Sequence, residues 1–67
     1  SEERQQLFEA LHKLKPLQRE VIIYRKIEEL SIEETSKITG LSATKIANTQ
    51  RSAMKKLQQI LGGGWND

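Results

Sequence analysis

"LSIEETSKITGLSATKIANTQRSAMKKL", residues 30–57, sets a short capped segment, a glycine and a long capped segment in direct succession. Ser31 followed three residues later by Glu34 is a capping-box pattern, in which each side chain answers an orphan backbone N–H of the other. It predicts a short helix over residues 32–39. Gly40 stops that helix, because glycine enters the left-handed conformation without a Cβ penalty. After Leu41, Ser42 is a second N-cap for a helix over residues 43–61. Short helix, glycine turn and capped longer helix form the outline of a helix-turn-helix. In such a motif the first helix crosses the backbone of DNA while the second enters the major groove.

Two further helices precede this unit. Leu7, Leu11 and Leu14 recur at i, i+4 and i+7, with Phe8 beside them, and predict a helix over residues 3–14. Pro16 closes it and suits the first turn of the next helix, over residues 17–29. There Leu17, Val21, Ile22, Ile23, Tyr24 and Ile27 make the centre apolar nearly all round, as in a helix packed on more than one side. No strand and no internal repeat is legible. The expected fold is all-α, a small four-helix domain with a helix-turn-helix over residues 1–61, followed by "GGGWND", residues 62–67, as a flexible tail.

Composition narrows the function. A chain of 67 residues holds one small domain, near the lower limit for a core without disulfides or metal. It has no cysteine and a single histidine, His12, which excludes thiolate zinc sites and argues against a Ser-His-Asp arrangement. No apolar stretch nears the roughly 20 residues that span a bilayer, and no secretory signal is seen, so a cytoplasmic location without membrane insertion is expected. The start at Ser1 rather than methionine suggests a fragment or a processed form. Charge is divided: residues 1–34 carry six Lys/Arg and eight Glu, residues 35–67 five Lys/Arg and one Asp. A basic second half suits a polyanionic partner, while the acidic first half argues against indiscriminate binding.

The fourth helix carries the functional signal. Projected at about 100° per residue, Ile46, Gln50, Ala53 and Leu57 fall together as an inward face. The opposite arc holds Thr44, Asn48, Arg51 and Lys55, flanked by Lys45, Ala47 and Ser52. No carboxylate occurs between Lys37 and Leu61, although solvated helices usually mix both signs. A carboxylate facing phosphates would be repelled. Asn bonds adenine and Arg bonds guanine bidentately, Thr reaches base or phosphate, and small Ala47 admits the backbone or touches a thymine methyl. Ser42 and the first N–H groups of the helix suit a phosphate, and Lys45 and Lys55 add electrostatic contacts.

Other conspicuous residues have structural readings. Tyr24, within "VIIYRKI", is read as core with its hydroxyl at the rim. Gln50 interrupts the apolar stripe, and a bond inside the protein is favoured over reading DNA from the groove edge. His12 is read as a surface residue. Adjacent pairs such as Glu28–Glu29 point in different directions on a helix and lack a nucleophile or histidine nearby, so catalysis is not expected. Trp65 is assigned to the tail.

Residues 11–57, "LHKLKPLQREVIIYRKIEELSIEETSKITGLSATKIANTQRSAMKKL", resemble the C-terminal promoter-recognition domain, region 4, of bacterial sigma factors of the extracytoplasmic-function group. The resemblance rests on Leu14 and Pro16, Arg19 and Val21, "LSIEE" at 30–34, Gly40–Ser42, and Ala53 with "KKL" at 55–57, and covers about residues 5–58. It implies binding of the promoter −35 element in double-stranded DNA, with the domain held by the β-flap of the RNA polymerase core. Carried over by position, Arg25, Ser42, Ala43, Thr44 and Lys45 would meet phosphates. Ala47, Asn48 and Arg51 would approach bases, with Thr49 and Ser52 at the edge of that surface. No enzyme chemistry and no cofactor is implied.

The chain also departs from the family pattern. Basic residues are common at the positions of Ala47, Thr49 and Ser52, so a weaker or differently tuned DNA affinity is expected. Ile, Ala and Leu are usual where Thr35, Ser36 and Thr39 stand, which implies a less apolar helix junction and modest stability. Two alternatives stay open: the DNA-binding output domain of a response regulator or quorum-sensing activator, and a protein-interaction module held mainly by an anti-sigma or other regulatory partner.

Overall fold

The computed structural model describes residues 1–62. It contains α1 (Glu2–His12), α2 (Pro16–Ile22), α3 (Ile32–Thr39) and α4 (Ala43–Leu61), with α2 running on as a π-helical segment over Ile23–Ile27. The expected all-α, four-helix architecture is what forms, and no strand occurs among the described residues. Trp65 and the rest of the expected tail, residues 63–67, lie outside them. Gly62, with φ of +84°, ends α4.

Local chemistry sets the boundaries of α3 and α4. Ser31 Oγ accepts from the Glu34 N–H at 3.0 Å, and Glu34 Oε1 accepts from the Ser31 N–H at 2.8 Å. Hydrogen bonding to the carboxylate from the Ser31 backbone N–H, and secondly from the Ser31 side chain, holds the Glu34 carboxyl below its usual range. Gly40 caps α3 in the left-handed region at φ +77°, donating its N–H to Ser36 O at 2.8 Å. Ser42 Oγ then accepts from the Lys45 N–H at 3.1 Å and opens α4.

The hydroxyls expected to weaken the α3–α4 junction divide into two kinds. Ser36 Oγ donates to Leu41 O at 2.6 Å, while Thr39 Oγ1 donates to Thr35 O at 2.7 Å and accepts from the Leu41 N–H at 3.2 Å. Both therefore fasten the turn. Thr35 is fully buried, and its Oγ1 has no hydrogen-bond partner among the described residues.

The second helix differs from expectation. It starts at Pro16, whose missing N–H costs nothing in a first turn, and it does not stay α-helical. The Glu28 N–H donates to Ile23 O, five residues back, and the Leu30 N–H to Tyr24 O, six back, each at 2.9 Å. The loop closes through Glu29 at φ +58°, the only non-glycine residue at positive φ among the described residues. A β-substituted residue in that region costs roughly 1–2 kcal/mol.

α4 touches α1, α2 and α3 and forms the axis of the domain. Its Ile46, Ala53 and Leu57 are fully buried. The main core joins Ala53, Met54 and Leu57 to Ala10 and Leu11 of α1, Leu14 of the following turn, and Ile22 of α2. Complete burial of Ile22, Ile46 and Leu57 contributes roughly 1.5–3 kcal/mol each. Phe8, beside the α1 stripe, is 58% exposed. Of the apolar residues expected to pack in the second helix, Ile27 is 49% exposed. Tyr24, expected in the core with its hydroxyl at the rim, is half-buried at a groove with Arg19 and Glu20.

Replacing Glu29 by glycine relieves the positive-φ cost and should stabilise the domain by about 1 kcal/mol. Replacing Thr35 by valine removes a buried hydroxyl without a partner and should also stabilise by about 1 kcal/mol. Thermal unfolding followed by circular dichroism checks both, since each such gain raises the midpoint by roughly 4–8 °C in a domain of this size. A midpoint lowered by Thr35→Val would mean that the hydroxyl has an acceptor in solution.

Candidate nucleic-acid interface

The buried stripe of α4 fixes what its other side presents. With Ile46, Ala53 and Leu57 inward, Thr44, Asn48, Arg51 and Lys55 stand exposed, and Ser42, Ala43, Lys45 and Ser52 are exposed as well. Asn48 and Arg51 lie one turn apart, and Arg51 Nη1 approaches Asn48 Oδ1 at 3.4 Å, a long contact that aligns the two side chains. At the start of α4 the N–H groups of Ala43 and Thr44 have no acceptor within the helix, and both residues are exposed, which favours an anion.

Each flank of this arc is a groove. On one side, Arg25, Ile32, Ala47, Gln50, Arg51, Met54, Lys55 and Gln58 line a depression of about 450 Å³. On the other, Lys15, Leu17, Gln18, Lys45, Asn48, Thr49 and Ser52 line one of about 260 Å³. Among the described residues, neither is lined by a carboxylate. The helix is thus bordered on both sides by basic channels, with an Asn and an Arg at its crest.

The expected site residues do not all share this surface in the same way. Arg25 is half-buried and joined to the protein at two points: Nε donates to Gln50 Oε1 at 2.9 Å, and Nη1 donates to Leu30 O at 2.6 Å. Among the described residues, two of its five N–H donors find acceptors. The favoured reading of Gln50 holds, since it bonds inside the protein, although its partner is Arg25 at the rim. Ser52 keeps its place at the edge, with Oγ accepting from Gln18 Nε2 at 2.9 Å. Ala47 is half-buried at the first groove.

Thr49 is a correction. It is only 8% exposed and lies against the start of α2 on the floor of the second groove. On the helix it stands about 60° from Ile46, much nearer the inward stripe than the crest. That angle is readable from the sequence, whereas positional carry-over from a family that often has a basic residue there sets it outside.

Lys15 and Gln18 are the residues that sequence reasoning missed. Gln18 Oε1 accepts from the Lys15 N–H at 3.0 Å while its Nε2 holds Ser52, so this one side chain ties the start of α2 to the flank of α4. Nothing local in the sequence marks that pairing, which spans 34 residues. Among the described residues, no group of His, Cys, Asp or Glu side chains could hold a metal ion, and no helix is long and apolar enough to cross a membrane.

Residues 4–57 match the family model described as sigma-70, region 4. The RNA polymerase sigma-E factors of Streptomyces antibioticus and of Streptomyces coelicolor (strain ATCC BAA-471 / A3(2) / M145) are each 36% identical over 59 residues, covering 88% of this chain and 33% of theirs. The chain thus spans about a third of the length of these curated relatives. No solved structure matches it significantly. The chain belongs to the sigma-70 region 4 family, of the extracytoplasmic-function type, which decides against the response-regulator alternative.

Proposed function

We propose, from that membership, that this domain recognises the promoter −35 element for an alternative sigma factor, laying α4 along the major groove of double-stranded DNA. The observation that supports this most is the pair of carboxylate-free basic grooves on opposite flanks of one helix. A helix seated in a major groove has a phosphate backbone on each side, so a base-reading crest needs two such channels. Lys45 and the α4 N-terminus serve one strand together with Lys15, and Arg25 and Lys55 serve the other. Asn48 and Arg51 read base edges, and Ala47 allows close approach.

Burial of Thr49 and engagement of Ser52 by Gln18 leave fewer direct contacts than the family pattern suggests. The reading therefore includes modest affinity for DNA alone, with docking to the RNA polymerase β-flap through other surfaces completing the complex. Exposed Ile27 and Ile38, together with the Ile23–Tyr24 groove, lie off the α4 crest and suit protein contacts of that kind, with polymerase or with an anti-sigma protein. The reading requires no catalytic group and no cofactor.

Arg51→Ala should cost roughly 1–3 kcal/mol on the preferred duplex and relax selection at one base position. Lys45→Ala should weaken all duplexes alike and reduce the salt slope by about one. Fluorescence anisotropy over a salt series measures both. Unchanged base discrimination in Arg51→Ala would show that α4 is turned differently on its target.

A further inference from the structure

We propose that Gln50 is a phosphate-binding residue, held by Arg25 so that its amide N–H groups serve the groove between α4 and the π-helical segment. The inference rests on the reading of α4 as the groove-entering helix. Gln50 faces Arg25 Nε at 2.9 Å, and because a guanidinium only donates, the amide atom turned toward it is the oxygen. The second bond from Arg25, to Leu30 O at 2.6 Å, fixes the guanidinium from the far side, so the amide has a rigid reference.

The consequence is a residue whose donor side is the freer one. Gln50 ordinarily offers a donor and an acceptor side by side, the combination that reads adenine. Here Arg25 takes one of the two lone pairs of Oε1 and holds the amide in one orientation, while Nε2 has no acceptor among the described residues. Nor is it sealed from solvent, since Thr35 Oγ1 is the only buried side-chain polar atom there without a partner. Among the described residues, the groove that Gln50 lines also presents Arg25, Arg51 and Lys55 and no carboxylate. A free N–H pair among three cations suits an anion with several acceptor oxygens. On DNA that anion is a backbone phosphate, and the contribution is the same for every base sequence.

The test uses the 67-residue chain, a −35-like duplex and a scrambled duplex of equal length. NMR follows the Gln50 side-chain amide, and anisotropy follows affinity for wild type, Gln50→Leu, Gln50→Glu and Arg51→Ala. The Gln50 amide signal should shift with both duplexes. Gln50→Leu should weaken both by the same factor, roughly three- to tenfold, with an unchanged salt slope because no charge is lost. Gln50→Glu should keep its thermal midpoint, as the carboxylate pairs with Arg25, yet weaken both duplexes by roughly tenfold or more.

Wild-type affinity in both Gln50 variants, with Arg51→Ala still losing discrimination, would overturn this inference and leave the promoter reading standing. A change of base preference in Gln50→Leu would overturn it too, placing the amide on a base edge. If wild type does not distinguish the duplexes and Arg51→Ala changes nothing, the promoter reading falls and this inference with it.

Discussion

Ile46, Ala53 and Leu57 lose all contact with water, and the helix that bears them touches each of the other three. In a chain of 67 residues there is little other apolar surface to share. α1 contributes Ala10 and Leu11, and α2 contributes Ile22, to a cluster completed by Ala53, Met54 and Leu57 of α4. Conformational entropy opposes ordering every residue, so a small domain holds together only where its few buried groups meet one another. Here they meet on α4, and the position of each remaining helix is defined relative to it.

The same stripe determines the chemistry of the opposite side. A helix repeats every 3.6 residues, so fixing the inward row fixes the outward one. Thr44, Asn48, Arg51 and Lys55 need no scaffold beyond the burial of their neighbours. The flanks are built differently. They need side chains from other elements, and each flank has a polar fastening: Gln18 to Ser52 on one side, Arg25 to Gln50 on the other. Apolar packing orients the helix, and hydrogen bonds shape the grooves beside it.

This division explains what could be read from the sequence. The bounds of α3 and α4 were legible because their signals are local: Ser31 with Glu34, Gly40, and Ser42 each act within a few residues of themselves. The outward arc was legible because periodicity alone generates it. The π-helical segment was not, since "VIIYRKI" is apolar at nearly every position and gives no sign of whether its turns hold one residue more. Nor was the left-handed Glu29, where glycine would have announced the turn. Arg25 and Gln50 lie 25 residues apart, and only the packed structure shows that the interruption in the α4 stripe answers a guanidinium. Thr49 lies between these cases, because its angle was available and its burial follows from how closely the start of α2 approaches.

That the axis of the domain is also its last helix has a consequence for synthesis. Until α4 emerges from the ribosome, Ala10, Leu11, Leu14 and Ile22 lack Ala53, Met54 and Leu57, the other half of their cluster, and α3 lacks the helix it packs along. Translation proceeds at roughly 5–20 residues per second, so the stretch from Thr39 to Leu57 takes on the order of one to four seconds. During that interval the segments of α1, α2 and α3, each shorter than the roughly 12–15 residues an isolated helix needs, are at most transiently helical. Folding of this domain then comes as one closing step at the end of its making, when Leu57 arrives.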